Sequence, residues 1–171
     1  MKRGEFSIYY AEMVANEFCK LIEPFVKEYV VAGSIRRRKE KVHDIDLVVK
    51  VDDPKAFLTK MRTLQWINKN FRIIKGKEKL INSVFKGVPL DIYITTDETF
   101  ETTKLIRTGS AEFNRMLCMR AREMGLKLKA NGTGLVDSEG NIIENTEEGI
   151  LKILLGRYVK PEEREVKKGE E

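Results

Sequence analysis

Between residues 28 and 95 the chain carries five short apolar runs rich in β-branched residues, and this pattern limits the folds open to it. EYVVAG (28–33) ends on glycine. DIDLVVKV (44–51) turns from alternating to continuously apolar. Runs over 71–75, 79–86 and 88–95 follow, with KGK and KG as turns. Such runs read as half-buried and buried strands. Residues 52–70 interrupt them with Asp and Pro54 at a helix start. Residues 7–25 precede them, with Met13, Phe18, Leu21, Ile22 and Phe25 at helical spacing. Residues 1–97 therefore predict the order α-β-β-α-β-β-β, a mixed sheet with helices packed on it. Trp66 and the Phe and Met residues are assigned to the core.

Residues 98–171 predict a second, different lobe. Helices over 98–107 and 110–124 are broken at Gly109 and closed by Gly125. Residues 126–144 hold three glycines and short alternating runs, a small ribbon. A helix over 146–159 has acids in its first turn, and the final KKGEE is expected to fray. The fold class is α+β, in one domain or two small lobes sharing an interface, a size that 171 residues with 42% hydrophobic content support.

Composition excludes several classes. Cys19 and Cys118 are too few for a disulfide scaffold and point to a reducing compartment, cytoplasmic or nucleoid-associated. A single histidine, His43, argues against a histidine-ligated zinc site and a Ser-His-Asp hydrolase. No apolar run approaches the roughly 18 residues of a membrane span. The net charge of +5 favours a polyanionic partner. The surplus lies in residues 1–97, with 19 basic and 13 acidic residues, and much of it runs from Arg36 to Lys41. That stretch is therefore where a polyanion would meet the charge. Residues 130–171 carry 6 basic and 10 acidic residues and are expected to stay off a polyanion.

The chemistry concentrates in GSIRRRKEKVHDIDLVV, residues 33–49. Gly33-Ser34 closes one strand, and Asp44 and Asp46 open the next. Residues i and i+2 of a strand share a face, so both carboxylates project together. Two like charges so close call for a cation, and hard oxygen donors suit Mg²⁺. Gly33 lets backbone approach a phosphate, with the Ser34 hydroxyl and Arg37 available to its charge. Asp91, within the apolar PLDIYI (89–94), supplies a third carboxylate on another strand. Three carboxylates on two strands can hold two metal ions about 3.5–4 Å apart.

Gly33-Ser34, Arg36-Arg37, Asp44-x-Asp46, Asp91 and then RTGSAEFN (107–114) resemble the family X DNA polymerases, the polymerase beta group of the nucleotidyltransferase superfamily. Tyr158, Pro161 and Arg164 look like that family's closing motif. The resemblance runs from about residue 30 to 165 in the family's order. It implies a nucleotidyltransferase palm over 1–97 with its N-terminal helix, and a C-terminal nucleotide-binding subdomain (thumb or fingers) over 98–171. Residues 1–29 are too short for the family's lyase domain and helix-hairpin-helix clamps, so a compact two-lobe member without lyase activity is expected.

The resemblance also implies roles. Asp44, Asp46 and Asp91 hold two Mg²⁺ (or Mn²⁺), and Asp91 takes part in deprotonating the primer 3′-hydroxyl. Gly33, Ser34, Arg37 and His43 meet the triphosphate, Gly109-Ser110 turns under the sugar, and Asn114 reads the minor-groove edge of the incoming base. Arg107, Arg115, Arg122, Lys127 and Lys129 are expected on DNA. The chain departs from the family in four places. Ile106-Arg107 stands where the polymerase beta group has an aromatic pair beside the sugar. Cys118 and Pro89 stand where arginines can occur, and Ala111 where a residue can pack on the base. The expected function is a monomeric DNA-directed polymerase filling short gaps on primed DNA with dNTPs in repair. The alternatives are a template-independent or ribonucleotide-tolerant transferase, a non-catalytic nucleic-acid-binding protein, and a transferase modifying a protein or small molecule.

Overall fold

The computed structural model describes residues 3–166, so the final KKGEE lies outside the described residues. The elements run β1 (Phe6–Ser7), α1 (Ile8–Ile22), β2 (Glu28–Val31), α2 (Gly33–Arg36), β3 (Lys41–Val42), β4 (Ile45–Lys50), α3 (Pro54–Ile67), β5 (Phe71–Gly76), β6 (Leu80–Phe85) and β7 (Val88–Thr95). Then come α4 (Phe100–Thr108), α5 (Ala111–Glu123), β8 (Lys127–Lys129), β9 (Gly134–Val136), β10 (Ile142–Glu144) and α6 (Glu147–Leu155).

Four of the six described α-helices start where a side chain accepts from one of the first free N–H groups. Ser7 accepts from the Tyr10 N–H, Asp53 from Ala56, Ser110 from Phe113 and Thr146 from Gly149. Pro24 ends α1 earlier than its periodicity suggests, and Glu23–Phe25 forms a single 3-10 turn. The core stripe of α1 is Ala11, Val14, Ala15, Phe18, Cys19 and Ile22, so Met13 faces solvent instead. Burial pushes the Cys19 thiol up to about 12, which leaves it an inert core group. Trp66, assigned to the core, is 87% exposed; the α3 face that packs carries Phe57, Leu58 and Met61.

Five strands form one mixed sheet in the order β2-β4-β7-β6-β5. β4 and β7 are parallel, and the other pairs are antiparallel. The β6–β7 hairpin turns on Lys86 and Gly87, with φ of 49° and 80°. Positive φ at both central residues matches the twist of the strands and pins the register. One sheet face is covered by α1 and α3 over a core that includes Phe18, Leu47, Phe71, Phe85, Leu90 and Ile92. The Phe18 ring lies 5.0 Å from Phe71 and 5.2 Å from Phe85, a tilted and an edge contact. A second core, around Leu105, Phe113, Leu117, Leu135, Ile150 and Leu154, joins the later helices to the ribbon β10-β9-β8.

The stretch from Arg36 to Lys39 binds protein rather than standing free. Arg36 grips Glu147 with both terminal nitrogens, at 2.7 and 2.8 Å, and also donates to the Thr108 hydroxyl. Arg164, fully buried, donates to the same Glu147 carboxylate at 3.0 Å. Arg37 pairs with Glu165, Arg38 with Glu12, and Lys39 lies 3.8 Å from Glu165. Acidic residues of the C-terminal segment are thus the partners of most of this basic stretch. Four of its cations are thus paired within the protein, and two carboxylates of 130–171 do much of it.

Burial opposes ionisation of Glu147. The Arg36 hydrogen bond and the charges of Arg36 and Arg164 outweigh it and hold the carboxyl below the usual range. Removing one partner of a buried ion pair costs about 3–5 kcal/mol, because the other charges stay buried. Glu147→Ala is therefore expected to lower the urea-unfolding free energy by about that amount at pH 7. A depressed carboxyl stabilises the fold above its unfolded pKa and loses that contribution as pH falls through the folded value. The difference between the two proteins should accordingly shrink below about pH 4. An unchanged midpoint at pH 7 would remove the network from its place in the fold.

Candidate metal centre and nucleotide site

Parallel pairing places Asp46 of β4 directly beside Asp91 of β7. Asp44 lies two residues before Asp46, at the mouth of β4. The three carboxylates each offer an oxygen, and these lie within 4.8 Å of one another. All three residues are half-buried, and none of them forms an ion pair among the described residues. The set contains no thiol and no imidazole, a donor chemistry that fits Mg²⁺ or Mn²⁺.

Crowding shows in the acidities. Burial, then the charges of Asp44 and Asp91, push Asp46 up to about 7, against the opposing guanidinium charges of Arg107 and Arg37. Asp44 is also raised, by burial and then by Asp91, with His43 opposing. Such a cluster favours a cation or a proton.

Two neighbours frame the carboxylates. Gly33, with φ of 59°, opens α2 rather than closing β2, and a Cβ there would collide with Asp46 Oδ2. Only glycine accommodates both the backbone angle and the carboxylate. Asn82 of β6, the register partner of Asp91, donates from Nδ2 to Asp91 Oδ1 at 2.8 Å. Sequence reasoning misses Asn82, whose one visible sign is a polar side chain in the alternating LINSVF stretch.

The remaining candidates divide. Ser34 sits in α2 beside Gly33, half-buried. Arg37 is engaged: Nη1 donates to the Thr108 carbonyl at 2.6 Å and Nε to Glu165 at 2.7 Å. His43 is exposed, with Nδ1 3.1 Å from the Gly4 carbonyl. Gly109 and Ser110 are buried and joined by a cis peptide bond. The Ser110 hydroxyl donates to the Arg164 carbonyl at 2.8 Å while capping α5. Asn114 Nδ2 donates to the Ile106 carbonyl at 2.8 Å, and its buried Oδ1 has no hydrogen-bond partner among the described residues. That amide therefore braces the turn between α4 and α5.

Arg107, in the place of an aromatic residue, is exposed, with its guanidinium 4.3 Å from the centre of the Tyr93 ring. The aromatic surface here comes from β7, two residues beyond Asp91 on the same face. Burial and then the Asp46 charge push the Tyr93 hydroxyl up to about 12, so it stays a neutral donor. Tyr93 and Arg107 border a cavity of about 510 Å³, also lined by Thr99, Thr103 and Asn131. None of the three carboxylates lines it.

Of the cations assigned to DNA, Arg107 is near enough to the carboxylates for its charge to oppose the rise at Asp46. Arg115 and Arg122 are exposed on α5, Arg115 lying 3.8 Å from Glu112. Lys127 and Lys129 share one face of β8, opposite Leu128.

Residues 103–165 match the family model of the DNA polymerase beta thumb. Over 135 residues the chain is 28% identical to the DNA polymerase/3′-5′ exonuclease PolX of Bacillus subtilis (strain 168). That match takes in 78% of this chain and 24% of the relative, so the chain spans about a quarter of the length of the curated relative it matches. Polymerase beta of Leishmania infantum in a ternary P/T complex superposes with a TM-score of 0.77 at 18% identity, over 95% of this chain and 77% of that one. Its ternary gap complex gives 0.76 at 16%, over 95% and 71%. The chain therefore has the mixed α+β polymerase beta fold. It resembles the family X DNA polymerases along most of its length.

The Asp46 acidity makes a testable statement about the metal-free protein. An acid whose folded value lies above its unfolded one, about 3.9 for Asp, binds its proton more tightly when folded. Its favourable contribution is present below the unfolded value and is lost as pH rises through about 7. With a chelator present, Asp46→Asn should raise Tm at pH 8 and leave it nearly unchanged at pH 4. Equal melting at pH 8 would count against the crowding.

Proposed function

We propose that this chain is a DNA-directed DNA polymerase that adds dNTPs to a primer 3′-hydroxyl at the Asp44, Asp46 and Asp91 centre. Its substrate is short gaps in primed DNA during repair. The observation that carries this reading is the three-carboxylate cluster on adjoining parallel strands, with Gly33 keeping open the space beside Asp46. The thumb match and the polymerase beta fold support the substrate class.

Asp44, Asp46 and Asp91 would hold two Mg²⁺ ions, which when bound neutralise phosphate charge and acidify the attacking hydroxyl. Asp91 takes the proton of the primer 3′-hydroxyl while Asn82 fixes its other oxygen. The 3′ oxygen bonds to the α-phosphorus of the nucleotide, the bond from that phosphorus to the bridging oxygen breaks, and pyrophosphate leaves with the electron pair. The backbone at Gly33-Ser34 and the start of α2 binds the β- and γ-phosphates. The Arg37 guanidinium turns toward them only if it leaves Glu165, so triphosphate and that carboxylate compete for one cation.

On a one-nucleotide gap, Mg²⁺-dependent extension is expected, falling by about 10²–10⁴-fold in Asp91→Ala. Equal extension by the two proteins would overturn the assignment. A ribonucleotide-tolerant enzyme is the second reading, favoured by Ile106-Arg107 in place of an aromatic pair. The dNTP-to-rNTP preference in kcat/KM is expected to fall below about 100-fold, the most an apolar pocket gives against one added hydroxyl. A much larger ratio would place the sugar filter elsewhere, with Tyr93 the first residue to substitute.

A further inference from the structure

We infer that the outer face of α3, with the adjoining start of β5, binds single-stranded nucleic acid, with Trp66 stacking on a base and Arg62, Lys69 and Arg72 holding backbone phosphates. Residues 54–79 contain eight lysines and arginines against one glutamate, a net of +7 in a chain whose total is +5. Lys55, Thr59, Arg62 and Trp66 recur at intervals of four, three and four, which places them along one helix face. Phe57, Leu58 and Met61 occupy the buried face. All four residues of the outer stripe are exposed, as are Lys69 and Arg72 beyond it.

Unlike the cations from Arg36 to Lys39, this charge is available. Lys55 lies 3.9 Å from Glu78, and Arg62, Lys69 and Arg72 form no ion pair among the described residues. Trp66, the only tryptophan of the chain, is 87% exposed beside Ile67 at 76%. Packing gives no reason for so large an aromatic surface to stand in water. A flat ring among cations matches a strand whose bases are unpaired, since stacking needs an open base face and the phosphates need positive charge. A duplex hides those base faces. An anionic membrane surface fits less well, because an interfacial helix needs an apolar face along its length. Here the large exposed apolar side chains of α3 are confined to its last turn.

The α3 part of this surface is separate from the carboxylates. α3 packs on the sheet face opposite Asp46 and Asp91. Arg72 pairs across β6 toward Pro89, and Lys75 across Asn82 toward Asp91. The basic band therefore passes around the β5 edge from one face to the other. It stands whether or not the chain polymerises DNA.

The experiment is a titration of the full chain with oligo(dT) of about 16 nucleotides in chelator-containing buffer, followed by Trp66 emission and by the anisotropy of a labelled oligonucleotide. Expected are quenching of the emission, an affinity that falls steeply with salt, and the same behaviour in Asp91→Ala. Trp66→Ala and the double variant Arg62→Glu/Lys69→Glu should each weaken binding by about tenfold or more, with unchanged melting temperatures. Binding that leaves the emission unaltered, or is equal in wild type and both variants, overturns the inference. So does a blue-shifted emission on phosphatidylserine vesicles without any response to the oligonucleotide.

Discussion

The Arg36–Glu147–Arg164 cluster is the contact on which the rest of the molecule depends. Glu147 sits at the first turn of α6, Arg36 at the end of α2 and Arg164 just before the last described residues, so one carboxylate holds three remote segments. α2 is also the element that Gly33 opens against Asp46. Fixing Arg36 therefore fixes the turn at Gly33 and, through it, the wall of the carboxylate cluster. Arg164 extends the grip: its carbonyl accepts from the Ser110 N–H and hydroxyl, and its guanidinium lies over the Phe113 and Tyr158 rings. A buried ion pair of this kind is weak evidence for net stability, because burying the charges is itself costly. Its clearer effect is specificity, since few other arrangements of these three segments would satisfy all three charges.

The carboxylate cluster follows the opposite rule. Its charges share a sign, are half-buried and have no ion-pair partner among the described residues. The sheet holds together what electrostatics would separate, and the raised acidities of Asp44 and Asp46 record the cost. The fold stores the conflict where a cation would relieve it. The same contrast separates the two basic regions: Arg36 to Lys39 are neutralised within the protein, while the outer face of α3 leaves its charge open.

Much of this is legible in the sequence because it is local. The Asp-x-Asp at a strand mouth, Asp91 in an apolar strand and the Asp and Pro54 start of α3 all follow from short-range pattern. What cannot be read depends on partners distant in the chain. Glu147 lies 111 residues from Arg36, and nothing in the sequence around Arg36 shows that its charge is already spoken for. Asn82 needs the strand register before it can be placed beside Asp91. For Trp66, size alone argues for burial, whereas the α3 stripe is fixed by Phe57 and Met61. Gly33 stands out in the sequence, but as the end of a strand, since a one-turn helix leaves no periodic trace. The pairing of β1 with β3 is too short to leave one either.

The register of β4 against β7 bears on how such a chain can change. Asp46 and Asp91 are neighbours across a parallel ladder, so their separation is an interstrand spacing of roughly 4.8 Å, fixed by backbone hydrogen bonds. A single-residue insertion or deletion within β7 ahead of Asp91 would turn Asp91 into the core and bring an apolar neighbour to the cluster. The exposed Asp52-Asp53 link after β4 escapes that constraint, since it leaves both strands in phase. Length variation is therefore tolerated on one side of the sheet and forbidden on the other, and the boundary between the two is drawn by the parity of a strand.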